Sequence, residues 1–307
     1  MKCAYCGNNA KGTKEHIISC SILDLFPECY LTIDDSRNKI YEADPMIKDV
    51  CADCNNKRIS YIDSYAKKFI SQYFIQKYTE ENIVEIEYNY TMIQKMLLKY
   101  AYNDMRSHKY DCSFFDEEIL YYLRNESDSN PKENVSILCG LAINVSPLPD
   151  IITGNRKLCW CKDPFFCSNS TIKYIDYKTG QIFINENVQE QEFPDLKLSY
   201  LFRFNSVQFL LMCWDKNSAN ISQNNTILKF QYPYYFMNAD DYKAIIPVCT
   251  NEINYHKCNI IHVSWDLISE VGLIRKHASG GKYEYKKFIE MQWAKEEERI
   301  KNEHPRN

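Results

Sequence analysis

Apolar positions change their spacing twice along this chain. From Lys57 onward Ile59, Ile62, Ala66, Phe69, Ile70 and Tyr73 recur at steps of three and four, the period of a helix with one buried face. A second helix is predicted over Met92–Arg106, with Met92, Ile93, Met96, Leu97, Tyr100 and Ala101 forming a stripe read as core packing. A third is predicted over Asp116–Leu123. The following stretch, NESDSNPKEN at 125–134, has no apolar residue and carries Pro, Ser and Asn, which predicts a linker. Beyond it the chemistry is that of strands. VSILCGLAINV, TIKYIDYKTGQIFIN, SYLFRFNSVQFLLMCWD, TILKFQYPYYF and NIIHVSWDLI are β-branched and aromatic runs, with YKTGQ suited to a hairpin turn. A closing helix is predicted from about Tyr283 to Asn302, burying Phe288, Ile289 and Trp293. Ahead of Lys57, YLTIDDSRNKIYEAD predicts two short strands around a polar turn, Asp34 to Asn38.

This pattern predicts an α+β protein in three parts: a small head at 1–75, a helical connector and linker at 76–134, and a β-rich body at 135–307 that ends in a helix and serves recognition or oligomerisation. A length of 307 residues suits two compact domains or one with a large extension. Hydrophobic residues at 45% and charged residues at 25% are ordinary for a soluble globular chain. No apolar run nears the roughly 20 residues that span a bilayer, so no membrane role is expected. The start, with Lys2 and Cys3 and no apolar segment, predicts no secretory leader. The 14 cysteines are then expected as thiols and metal ligands in a reducing cytoplasm, not as a disulfide framework.

Charge narrows the function classes. Lys and Arg number 37 against 41 Asp and Glu, a net charge of −4. Phosphate neutralisation supplies most of a protein's non-specific affinity for nucleic acid, so such a role here needs a local basic patch, a metal or a partner. RKHASGGKYEYKK, Arg275–Lys287, is the clearest basic and aromatic segment; it suits either nucleic-acid contact or a solvated helix start. Lys57 and Arg58 are candidates for phosphate contact, or equally a solvated helix face.

The candidate chemistry is concentrated in the head. CAYCG at 3–7 and CADCN at 51–55 are two CxxC pairs. Cys3, Cys6, Cys51 and Cys54 would complete a tetrahedral four-thiolate site for Zn²⁺, closed and structural, in a head too small to build its own core. The bland reading is four unrelated thiols. Between the pairs lies KEHIIS, 14–19, and directly after Cys54 come Asn55 and Asn56. CWCKDPFFC and NYHKCNIIH offer Cys159, Cys161, Cys167, His256, Cys258 and His262, but lack paired spacing and are read as buried thiols and core residues in strands.

The order CxxC, Glu-His-Ile-Ile, CxxC-Asn over residues 3 to about 70 resembles the HNH endonuclease family, whose head is a ββα-metal fold often flanked by two zinc knuckles. By that resemblance His16 is the general base, Glu15 the acidic ligand of a catalytic Mg²⁺ or Mn²⁺, and Asn55, here Asn in place of His, its second ligand. Asn38 or Asp49 would take the middle position and orient His16. Ser19 stands where the family has Pro, and Glu15 replaces the commoner Asp. The residue types suit phosphodiester hydrolysis: an imidazole deprotonates water, and a hard cation on one carboxylate and one amide oxygen keeps sites for water and phosphate. The resemblance implies an endonuclease acting on DNA, with RNA as the alternative substrate, and a restriction or antiviral defence effector acting as a homo-oligomer or with a protein partner such as an ATPase. The rival class is a non-catalytic zinc module that scaffolds an interaction surface.

Overall fold

The first 51 residues form β1 (Gly12–His16), one helical turn α1 (Cys20–Leu23), a hairpin of β2 (Thr32–Asp34) and β3 (Lys39–Tyr41), and β4 (Met46–Cys51). This is a computed structural model. It describes residues 1–142 apart from 28, 30, 31, 35, 36, 38 and 80, then 158–166, 175–176, 181–182, 191–249 apart from 233, 253–254, and isolated positions between 276 and 298. The β2–β3 hairpin lies where the alternation of YLTIDDSRNKIYEAD predicts it. Strand β4 runs antiparallel to β1, with Thr13 opposite Val50 and His16 opposite Met46. The register shifts between Thr13 and Glu15, so that Lys14 alone faces Lys48 and Asp49. Such bulges re-aim side chains.

After β4 a wide helical turn, Cys54–Arg58, leads into α2 (Ser60–Tyr73), which buries Ile62, Ala66, Phe69 and Ile70. Strand β5 (Val84–Glu87) precedes the long helix α3 (Tyr90–His108) and the shorter α4 (Glu117–Arg124). Helix α3 starts two residues ahead of its apolar stripe because Asn89 caps it, its side chain accepting from the Met92 amide at 3.0 Å. Asp116 caps α4 in the same way, accepting from Ile119 N at 3.1 Å.

The body contains β6 (Val135–Leu141), β7 (Leu158–Lys162), the short β8 (Phe165–Phe166), β9 (Ile175–Asp176) and β10 (Gln181–Ile182), then β11 (Leu196–Phe204), β12 (Val207–Trp214), α5 (Ile221–Gln231), β13 (Tyr235–Phe236), β14 (Lys243–Ile246) and β15 (Ile253–Asn254). Five of these make an antiparallel sheet in the order β13-β6-β12-β11-β7. Alternate residues divide it. Ile137, Cys139, Tyr200, Phe202, Phe204, Phe209 and Leu211 join the core shared with α2 and α3, while Leu138, Leu201, Leu210, Met212 and Trp214 join a second cluster with Leu228 of α5. With both faces covered, every residue of β12 is buried, which is why its sequence is apolar apart from Gln208, whose Nε2 donates to Tyr234 OH at 3.0 Å.

SYLFRFNSVQFLLMCWD forms two strands, because Asn205 takes a left-handed φ of 51° and turns the chain. One expectation is corrected. TILKFQYPYYF is mostly the second half of α5, since Asn224 and Leu228, one turn apart, are the buried pair; only Tyr235–Phe236 is strand. The stretches NIIHVSWDLI and 283–302 lie wholly or almost wholly outside the described residues, as do Cys167, His256, Cys258, His262 and most of 275–287.

Several contacts join the parts. The β11–β12 turn caps α2, with Asn205 Nδ2 donating to Phe74 O and Ile75 O at 2.7 Å each and Ser206 Oγ donating to Phe74 O at 3.1 Å. Strand β5 pairs antiparallel with β14. The segment 125–134 is not a free tether. Lys95 Nζ donates to Asn125 O and Asp128 O at 2.7 and 2.8 Å, and Gln94 exchanges bonds with Lys132. No described helix is long and apolar enough to cross a membrane.

Candidate functional site

The two CxxC turns converge at the end of the β1–β4 ladder. Gly7, at φ 72°, follows the first pair in the left-handed region and lets Gly7 N reach back to Cys3 O at 2.9 Å. The second pair spans the end of β4 and the start of the wide turn. The Sγ atoms of Cys3, Cys6, Cys51 and Cys54 all lie within 4.8 Å of one another, and this is the only such group among the described residues. Cys6 and Cys51 Sγ are 3.8 Å apart, close to the edge of about 3.8 Å that a tetrahedron with metal–sulfur bonds of about 2.3 Å requires. Backbone amides already point at sulfur: Cys51 N donates to Cys3 Sγ at 3.3 Å and Cys54 N to Cys51 Sγ at 3.4 Å. Burial would raise the Cys3 thiol, but the amides of Cys51, Cys6 and Tyr5 bring it down to about 7. Burial and the neighbouring Cys51 and Cys6 push Cys54 up. Four soft donors this close together could hold a metal ion.

Strand β1 divides the remaining candidates between its faces. Glu15 points inward and is 4% exposed. Its Oε1 lies 2.9 Å from Lys99 Nζ, which is also 2.6 Å from Asp63 Oδ2 on α2. Asn103 Nδ2 donates to Glu15 Oε1 at 3.3 Å and to His16 O at 2.9 Å, and Tyr5 OH donates to Asn103 Oδ1 at 2.8 Å. Burial alone would push the Lys99 ammonium down in pKa, yet Asp63 and Glu15 hold it above its ordinary value. Glu15 is thus already neutralised by a cation of the chain.

His16 is on the other face. Its side chain is 27% exposed, and Nε2 lies 3.5 Å from Asp44 Oδ2. Of the two orienting candidates, Asn38 lies outside the described residues, and Asp49 is paired with Arg106 of α3. The carboxylate beside His16 is therefore Asp44, a residue sequence reasoning passed over because it sits in the irregular stretch before β4. Asn55 latches the helix start onto β1, its Nδ2 donating to Thr13 Oγ1 at 3.0 Å and Lys14 O at 2.9 Å. Asn56 is exposed. Arg58 Nε is 2.6 Å from Asp53 Oδ2 and Lys57 Nζ is 4.0 Å from Asp53 Oδ1, so one carboxylate serves both cations. Ser19, where the resembled pattern has Pro, caps α1 with φ −48°, a value near the one proline imposes.

Beside His16 runs a shallow groove of about 310 Å³, lined by Lys14, Tyr41, Asp44, Met46 and Lys48 among others. Lys14 and Lys48 are exposed and have no ion-pair partner among the described residues. Glu15 does not fit the divalent cation implied for it, because an ammonium already sits on its carboxylate; Asn55 holds strand to helix through Nδ2, which leaves its Oδ1, the atom a cation would take, uncommitted. The other residues that sequence reasoning missed are on α3. Lys99, Asn103 and Arg106 are spaced by four and three, a polar stripe on a helix that also buries Ile93, Met96, Leu97, Tyr100 and Ala101. Comparison of the chain with known protein families, curated proteins and solved structures finds no match.

Proposed function

We propose that this chain is an HNH-type endonuclease that hydrolyses phosphodiester bonds, most directly in DNA, with one structural zinc on Cys3, Cys6, Cys51 and Cys54. The observation that carries the reading is the His16–Asp44 pair on the solvent face of the strand that the cysteine cluster anchors. An imidazole with one nitrogen held by a carboxylate is fixed in orientation and can take a proton from water through the other. The groove beside it supports a nucleic-acid substrate: Lys14 and Lys48 can meet phosphates, and Tyr41 offers a face for a base. Few cations line it, and residues 1–75 carry ten Lys and Arg against ten Asp and Glu. Tight binding to a duplex then needs the body, a second protomer or a protein partner.

The test is cleavage of supercoiled plasmid and of single-stranded DNA and RNA by full-length protein, with and without added Mg²⁺ or Mn²⁺. His16→Ala should lower the rate by about 10²- to 10⁴-fold while leaving metal content and folding unchanged. A variant that cuts at the parent's rate would remove His16 from the chemistry. One observation favours a second reading. The neutralised Glu15 suits a head whose cysteine cluster only scaffolds an interaction surface, and no cleavage by the parent under any of these conditions would select it.

A further inference from the structure

The same strand that presents His16 to solvent carries, one residue earlier, a carboxylate whose cation comes from another part of the fold. Lys99 reaches Glu15 from α3, a helix of 19 residues packed between the head and the sheet. Its side chain is 1% exposed and touches Glu15 and Asp63 at 2.9 and 2.6 Å. Other donors reach the same pair: Asn103 also donates to Glu15 Oε1, and Tyr100 OH donates to Asp63 Oδ1 at 3.4 Å. A divalent cation of the Mg²⁺ type needs oxygen ligands at about 2.0–2.1 Å in near-octahedral order and keeps several waters. Glu15 is buried, which leaves little access for those waters, and an ammonium in contact with Oε1 repels a second cation there.

We propose that Lys99 is the resident cation of this head, holding the position at Glu15 that a divalent ion would otherwise take. Lys99 thereby ties β1 and α2 to α3. Asn103, one turn further along α3, fixes the carbonyl of His16. In the part that concerns His16 the proposal rests on the reading of that residue as the base; the part that concerns the cation does not. Lys99 is a positioning residue, since it touches no reacting atom.

The test is Mn²⁺ binding to the full-length, zinc-loaded protein, followed by the paramagnetic resonance of free Mn²⁺, so that no cleavage is measured. The parent should show no Mn²⁺ site that depends on Glu15; its titration and that of Glu15→Gln should coincide. Lys99→Met should acquire one Mn²⁺ per chain, and Glu15→Gln placed in that background should abolish it. A Mn²⁺ site in the parent that is lost in Glu15→Gln overturns the proposal. So does a folded Lys99→Met that gains none. Should Lys99→Met fail to fold, the parent and Glu15→Gln still decide between the outcomes. Loss of cleavage in His16→Ala bears on the nuclease reading alone, so the two can fail separately.

Discussion

The head contains two clusters of anionic ligands, and they meet their need for positive charge in different ways. At the end of the β1–β4 ladder four sulfurs converge, with no ion pair to any of them among the described residues and with the Cys51 and Cys54 amides donating to two of them. On the inner face of β1 the carboxylates of Glu15 and Asp63 also converge, but Lys99 lies between them. The first cluster is assembled from residues close to the chain start and the end of β4, and it asks for an ion from solution. The second is assembled across three elements distant in sequence and is already neutralised. A small head can recruit a metal where its own chain offers no counter-ion, whereas a head docked on a helix can borrow one. The two clusters should therefore respond in opposite ways to chelators and to substitution.

The largest effect should come from the sulfurs. Cys51→Ser, or prolonged chelation, should remove one zinc per chain by elemental analysis and collapse the head, because binding energy on the order of 10 kcal/mol is also folding energy there. Loss of β1–β4 amide protection in hydrogen exchange would report it. The Lys99 cluster predicts the reverse: chelation has nothing to remove. An intact β1–β4 ladder in metal-free protein would show that the four thiols need no ion, and the contrast would be lost.

The second effect is smaller. Lys99→Ala leaves the buried Glu15 and the half-buried Asp63 without a cation and should destabilise the chain by up to about 3–5 kcal/mol in urea unfolding. Adding Glu15→Gln and Asp63→Asn should recover much of that loss, since the cost lies in uncompensated charge and not in the missing side chain. If the triple variant is no more stable than Lys99→Ala, the pairing is incidental and the inner cluster is ordinary packing.

The difference between the clusters also explains what could be read in advance. CxxC twice in 54 residues is a local signal: each pair fixes its own geometry, and only the meeting of the two pairs is tertiary. The helices at 60–73, 90–108 and 117–124 were legible for the same reason, because a three-and-four step of apolar residues is written within the element. Lys99, Asn103 and Arg106 were not. A lysine or arginine in a helix is normally a solvated one, and only the approach of β1 and β4 makes this stripe interior. The helix also buries Gln94, Lys95 and Asp104, so no apolar face in the sequence marked which of its polar positions are interior. Asp44 was hidden by its irregular surroundings, and α5 by Thr226 and Ile227 beside a run of aromatics that reads as strand.

The smallest effect concerns the far end of the same helix, where a titratable cation does what Lys99 does permanently. His108 lies in the last turn of α3, with Nδ1 3.3 Å from Asp104 Oδ1 and Nε2 3.6 Å from Asp34 Oδ1 on β2. Its pKa is raised, first by the hydrogen bond with Asp104, against the pull of burial. The end of a helix also favours a positive charge. A raised folded-state pKa means that the stabilisation is fully present below the unfolded value of about 6.5 and is lost as pH rises through the folded one. Its size should be on the order of 1 kcal/mol, because the pair is one contact among several that hold the β2–β3 hairpin. Urea midpoints should therefore fall as pH rises from about 6 toward 8, and His108→Gln should flatten that fall. The triple variant Lys99→Ala, Glu15→Gln, Asp63→Asn should keep that slope, because none of the three residues touches His108. A slope that survives His108→Gln unchanged would move the pH response to another group and leave the Lys99 and Arg106 pairs as the ionic anchors of α3.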